Sequence, residues 1–266
     1  MPGASLAEKI EKLAAWGYEG IEFWGGGLWD RIDEINAACD NSPVKPSSIC
    51  AGYRGCPLDT SAEERRIAID DSKKLLKVAA EIGAVGLIFV PIFGGPRLPD
   101  LSPVADAITL EKRLLVEMCK ELGDAAAEAG SILLLEPLNR YETHLICRCE
   151  QGAEICRQVN SPHVQIMADF FHMSIEEPII ADSIRQNGEF IKHVHLADSQ
   201  RILPGYGHTD FKAGFAALQD ICFEGYMALE CGVPGPAEVE LPKCAEFLRS
   251  QMPDGGGCGC GCGCKE

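Results

Sequence analysis

The chain is predicted to be an α/β protein, a barrel with parallel strands inside and helices outside. Extended and helical patterns alternate along its whole length, and that rhythm calls for a parallel sheet with helical crossovers. Its 266 residues match one barrel of about 250 residues better than two domains. No G-x-G-x-x-G follows a predicted strand, so a dinucleotide-binding doubly wound sheet has no support.

The elements follow in order. Leu6, Ile10, Leu13 and Trp16 form one helical stripe, and residues 20–24 are a short strand ending in the Gly25-Gly26-Gly27 turn. A helix over 29–38 leads to an extended stretch at 47–51. Ser61 starts a long helix, with Glu64 three residues on as a capping-box partner. The continuous apolar run 84–91 reads as a buried strand. A helix over 105–129 stops at Gly130 and a strand at 131–136 follows. Then come a helix near Ala153, a strand at 164–169, a helix near Ile180 and a strand at 191–197. A helix at 211–220, a strand at 226–230 and a helix at 237–249 complete the pattern. That makes seven strands and eight helices, with a helix first. The expected fold is therefore a (β/α)8 TIM barrel whose first strand is missing, leaving a gap and two open edges. On this reading the true start lies upstream or the chain is a fragment. Residues 1–253 form the barrel domain, and 254–266 a disordered Gly/Cys tail.

Lys plus Arg number 24 against 40 Asp plus Glu, a formal net charge of −16. Such a surface repels polyanions, which argues against nucleic acid and anionic membrane as partners. The longest apolar run, residues 85–93, contains Pro91 and falls far short of the roughly 20 residues of a membrane span. The N-terminal stretch is an amphipathic helix pattern and not a signal peptide. A cytoplasmic protein with reduced thiols is the expectation for its fourteen cysteines. Ten lie in the body as small hydrophobes, and Cys258, Cys260, Cys262 and Cys264 alternate with glycine in the tail. That alternation suits a soft metal but lacks the C-x₂-C spacing of structural zinc sites, so the tail is read as an appendage.

Strand alternation places candidate chemistry at the barrel's C-terminal end. In 131–136, Leu133 and Leu135 face outward while Ile132, Leu134 and Glu136 face inward. The same parity turns Asp169, His195 and Glu230 inward at the ends of their strands, the end at which barrel active sites lie. Any one alone reads as the polar end of a strand. Together, three carboxylates and an imidazole at one depth repel without a cation, and they suit Mn²⁺, Mg²⁺ or Co²⁺. His193 lies one layer deeper and reads as a supporting histidine.

Four blocks carry a resemblance: Leu135-Glu-Pro-Leu-Asn-Arg-Tyr-Glu142, Met167-Ala-Asp-Phe-Phe-His172, His193-Val-His-Leu-Ala-Asp-Ser-Gln-Arg201 and Ala228-Leu-Glu230. In order and spacing they resemble the sugar isomerase/epimerase superfamily, whose barrel is xylose-isomerase-like, and within it the ketose 3-epimerases and hydroxypyruvate isomerases. The resemblance runs from Ser5 to about Leu248 and includes the Ala51-Gly-Tyr-Arg-Gly55 turn. It implies one divalent ion, Mn²⁺ first, on Glu136, Asp169, His195 and Glu230. It makes Glu136 and Glu230 the catalytic acid/base pair, and Glu142, His172 and Arg201 the substrate-binding residues. Homo-oligomers are common among such enzymes.

The implied reaction moves a proton on the carbon next to a carbonyl. A divalent ion chelated by the carbonyl oxygen and adjacent hydroxyl holds the enediolate charge, and carboxylates on two faces make epimerisation possible. Ketose 3-epimerisation is the leading expectation, with aldose–ketose or hydroxypyruvate-type isomerisation as the alternative. No phosphate-cradling Gly loop stands out, which favours an unphosphorylated sugar or small hydroxy-ketone. A truncated, non-catalytic barrel that binds metal or sugar is the alternative from another class, as is a metal-handling role residing in the tail. A DNA-repair nuclease on this barrel is disfavoured, because no histidine precedes His144 and the charge opposes DNA.

Overall fold

Residues 1–253 are described by a computed structural model. Helix α1 (Leu6–Ala15) is capped by Ser5, which accepts the Glu8 backbone N–H, and it buries Leu6, Ile10 and Leu13. Strand β1 (Gly20–Trp24), a 3₁₀ turn (Leu28–Asp30), α2 (Ile32–Cys39) and β2 (Lys45–Cys50) follow. Ser61 caps α3 (Ala62–Glu81), and β3 (Gly86–Phe89) leads into α4 (Ala107–Ala129), which ends on Gly130 at φ +78°. Next are β4 (Ile132–Leu135), α5 (Cys149–Val159), β5 (Val164–Asp169), α6 (Phe170–Glu176) and α7 (Ile180–Asn187). The described fold closes with β6 (Ile191–Leu196), α8 (Phe211–Asp220), β7 (Met227–Leu229) and α9 (Ala237–Gln251).

The seven strands pair in parallel and in chain order, β1 to β7, as the βα alternation predicts. Their register sets the strand ends level: Asp169 pairs with His195, and His195 with Ala228. Alternation divides the apolar side chains into two groups. Ile88, Leu134 and Met167 pack on one another inside the barrel. Leu133, Leu135, Ile166, Ala168, Val194 and Leu196 join the larger cluster under the helices.

Among the described residues no strand pairing joins β7 to β1. The Tyr226 ring fills part of this seam. It lies so close to Gly20 that a Cβ there would come within 2.9 Å of its Cδ1. A cavity of about 570 Å³ occupies the rest, lined by Leu13, Tyr18, Glu22, Leu229, Leu241 and Leu248 among others. The gap expected from the strand count is thus present, bridged by one aromatic ring.

Three details depart from expectation. Helix α6 is additional: Asp169 both ends β5 and caps α6 by accepting the Phe171 N–H at 2.7 Å, so one residue is the last of a strand and the N-cap of a helix. The helix expected over 29–38 is divided, because its first turn is the separate 3₁₀ segment. Nine body cysteines are free thiols, but Cys222 is disulfide-bonded and not a reduced thiol. The expected disordered tail, with its four cysteines, lies outside the described residues. No helix among the described residues is long and apolar enough to cross a membrane.

Candidate active site

The barrel's C-terminal end brings Glu136, Asp169, His195 and Glu230 together, with one donor atom from each within 4.8 Å of all the others. His195 Nδ1 is the hub, 3.1 Å from Glu230 Oε2, 3.8 Å from Asp169 Oδ2 and 3.9 Å from Glu136 Oε1. Glu136 directly follows β4, where its N–H donates to the Phe89 carbonyl. Asp169 is fixed by its capping bond to α6. Glu136, Asp169 and His195 are buried, and Glu230 is partly exposed towards the mouth.

Burial and crowding govern the charges. Desolvation, reinforced by Asp169 and Glu230, pushes Glu136 well above the usual carboxylate range. Burial likewise lifts Asp169 to about 6, against the pull of His195 and Arg201. Burial alone would depress His195, but Glu22, Glu230 and Glu136 surround it and hold it well above an ordinary histidine. Glu230 is also partly desolvated, yet its hydrogen bond to His195 and the nearby Arg201 hold it below its ordinary value. Without a cation, the cluster thus keeps protons to lower its repulsion. Three carboxylates and one imidazole fit a divalent ion of the Mn²⁺, Mg²⁺ or Co²⁺ type. The neighbouring Cys50 thiol, 3.8 Å from Glu230, is pushed up by burial and adjacent carboxylates and offers no thiolate.

The residues expected to meet a substrate border this cluster. Arg201 Nη1 lies 3.1 Å from His172 Nε2, and its guanidinium stacks on Phe171 at 4.6 Å. His172 Nδ1 accepts the Asn139 backbone N–H at 3.0 Å. Nε2 faces Asp169 at 3.6 Å and Glu136 at 3.8 Å. Burial and Arg201 push His172 down to about 3, so the ring is neutral. Glu142 stands further out, 3.9 Å from His172 Nδ1, with Oε1 accepting from the Asn139 side chain at 2.8 Å.

Comparison with known proteins adds lineage to this geometry. The model of a family described as "Xylose isomerase-like TIM barrel" matches residues 10–251. The chain belongs to that family. Its relatives include a 3-dehydro-D-guloside 4-epimerase from Escherichia coli (strain K12), 32% identical over 85% of this chain and 87% of that protein. A D-psicose 3-epimerase from Enterocloster bolteae is 29% identical over 85% of this chain and 77% of that protein. Among solved structures, the apo 3-keto-D-glucoside 4-epimerase from E. coli superposes with a TM-score of 0.84 at 29% identity, covering 93% of this chain and 95% of that one.

The family barrel also assembles residues that sequence reasoning passed over. Glu22, midway along β1, reaches His193 and His195. Its signal was a lone charge inside an otherwise apolar strand. Asn139 orients His172 within a block already singled out. Asp198 accepts four backbone N–H groups, from Ser199, Gly205, Gly207 and Thr209, at 2.8–3.0 Å. It shapes the loop carrying Arg201, and no local pattern marks it for that task.

Proposed function

We propose that this chain is a divalent-metal-dependent sugar epimerase that inverts the carbon next to a ketone, with C3 of a ketose as the reacting centre. The observation that carries this reading is the convergence of Glu136 and Glu230, from different strands, on one small space shared with Asp169 and His195. A divalent ion on these four residues, Mn²⁺ in our reading with Mg²⁺ or Co²⁺ as substitutes, would polarise the carbonyl and stabilise the negative charge that deprotonation creates.

The chain's own groups supply the rest. One of Glu136 and Glu230 takes the C–H proton as the bond's electron pair moves towards the carbonyl oxygen. The other delivers a proton to the opposite face, and the electron pair returns to make the new C–H bond. His172 and the Arg201 guanidinium hold sugar oxygens at the edge of this space, with Glu142 further out. The two relatives named above support the same chemistry: psicose epimerised at C3 and a 3-dehydro sugar epimerised at C4 both react beside a ketone. The stronger match to the 4-epimerase makes C4 of a 3-keto sugar our second reading. The substrate is an unphosphorylated sugar or small hydroxy-ketone. Work in the cytoplasm and a homo-oligomeric state complete the proposal.

The test is a panel of ketoses and 3-keto glucosides incubated in D₂O with Mn²⁺ and followed by NMR. Deuterium at C3 of a ketose is the expected result. Label at C4 of a 3-keto sugar supports the second reading, and label at C1 or C2 replaces both with an aldose–ketose isomerase. No exchange on any substrate, by protein that binds Mn²⁺, overturns the enzyme reading in favour of a binding barrel.

A further inference from the structure

His195 is engaged from both sides. Its Nδ1 faces the carboxylates of Glu230, Asp169 and Glu136, while its Nε2 lies 3.0 Å from Glu22 Oε2. A histidine that offers one nitrogen to a metal ordinarily donates the other N–H to a carboxylate or carbonyl, which fixes the ring and makes it a better ligand. We propose that Glu22 is the positioning residue for His195. By accepting the Nε2–H, it turns the Nδ1 lone pair into the space shared by Glu136, Asp169 and Glu230. This inference rests on the proposed metal centre and extends it to β1, the strand at the seam.

Glu22 is itself held in place. Its Oε2 also accepts from Ser48 Oγ at 2.5 Å and faces His193 Nε2 at 3.0 Å, while Ser48 and His193 lie 3.0 Å apart. One carboxylate oxygen therefore gathers groups from β2 and two turns of the pleat of β6. Ser48, His193 and His195 are buried, and Glu22 is one of the residues lining the seam cavity. The same atoms offer a rival arrangement, because Glu22, His193 and His195 bring donor atoms within 4.8 Å of one another and form a second possible ion site. Hydrogen bonding is the better account. Three donors already converge on one oxygen at hydrogen-bond distance, and His195 Nε2 cannot both carry a proton and bind an ion.

The test is Mn²⁺ titration calorimetry on the full chain, alongside Glu22→Gln, Glu22→Leu and Ser48→Ala, with thermal unfolding of each metal-free protein. Mn²⁺ is chosen because thiolates hold it poorly. Expected is one site per chain and an affinity about 10–100-fold weaker in Glu22→Gln. The amide oxygen of that variant still accepts a hydrogen bond, so Glu22→Leu falls further, and the unfolding midpoint of metal-free Glu22→Gln stays near that of the unmodified chain. A merely structural role would move the midpoint and give no such ranking. Unchanged affinity in folded Glu22→Gln overturns the inference and leaves the metal centre standing. Two sites per chain, one of them lost in Glu22→Gln, overturn it in favour of a second ion. Should Glu22→Gln not fold, Ser48→Ala takes its place, and unchanged Mn²⁺ affinity there counts equally against the proposal. No Mn²⁺ binding by the unmodified chain removes the metal reading and this inference with it.

Discussion

Arg201 donates from Nη2 to Glu230 Oε2 at 2.5 Å while its Nη1 lies 3.5 Å from Asp169 Oδ2. One planar guanidinium thus spans two of the four candidate ligands from the solvent side, with Phe171 beneath it. The backbone supports this reach at some cost, since Arg201 sits at φ +57°, a left-handed conformation disfavoured for a side chain of this size. Its N–H donates to the Asp198 carbonyl and its carbonyl accepts from Gly232, which hold it there. An ammonium cannot reproduce the fork. Arg201→Lys is expected to lower kcat by about 10²-fold, the usual effect of losing one aimed donor, with little change in unfolding midpoint. Steady-state kinetics beside thermal unfolding check both parts.

Glu136 and Glu230 serve the proposal twice, as ligands and as the proton-transferring pair. Glu136→Gln and Glu230→Gln keep shape and remove the base. Each is expected to slow epimerisation by about 10²–10⁴-fold or more and to abolish incorporation of solvent deuterium at the reacting carbon. Mn²⁺ affinity measured on the same variants separates loss of the ion from loss of the base. Continued exchange in both single variants would sink the acid/base assignment.

Much of this site is written in local pattern. Leu133 and Leu135 alternate with Leu134 and Glu136 in so short a strand that the inward parity of Glu136 follows from counting, and the same holds for Asp169 and His195. Register then does the remaining work, because parallel strands in chain order bring their ends to one height. What the pattern could not carry depends on closure. Glu22 and His195 are 173 positions apart and meet only when β1 curls back towards β6. Asp198 looks like any loop aspartate until four backbone N–H groups turn onto it. Helix α6 escaped because Asp169, read as a strand end, is also a cap.

Asp198 offers a stability prediction with a functional consequence. Although burial opposes it, the surrounding N–H groups hold its carboxyl below the ordinary range. Its stabilising contribution is therefore present above the ordinary carboxylate pKa and is lost as pH falls towards the folded-state value. Asp198→Asn keeps the size but replaces one accepting oxygen with a donor, which leaves backbone donors unmatched. A loss of about 1.5–3 kcal/mol is expected, read by urea unfolding, together with reduced kcat/KM as Arg201 loses its loop. Mn²⁺ affinity should hold, since Asp198 is not among the four converging residues.

The last prediction concerns the metal-free protein and its pH dependence. Asp169 titrates near 6 in the folded chain against an ordinary 3.8, so between those values the folded state keeps a proton that the unfolded chain has released. Stability must then fall as pH rises through that interval, by about 3 kcal/mol for a shift of about two units. His195, raised for its own reasons, acts in the same direction at higher pH. A divalent ion reverses the sign, because its ligands bind it deprotonated and protons compete with it. Urea unfolding at several pH values from about 4.5 to about 7.5 should therefore show the metal-free chain weakening with rising pH and the Mn²⁺-saturated chain strengthening. Parallel curves with and without Mn²⁺ would mean that the ion does not engage Asp169. A crossing near pH 6 would place its carboxyl among the groups that give up a proton to hold the metal.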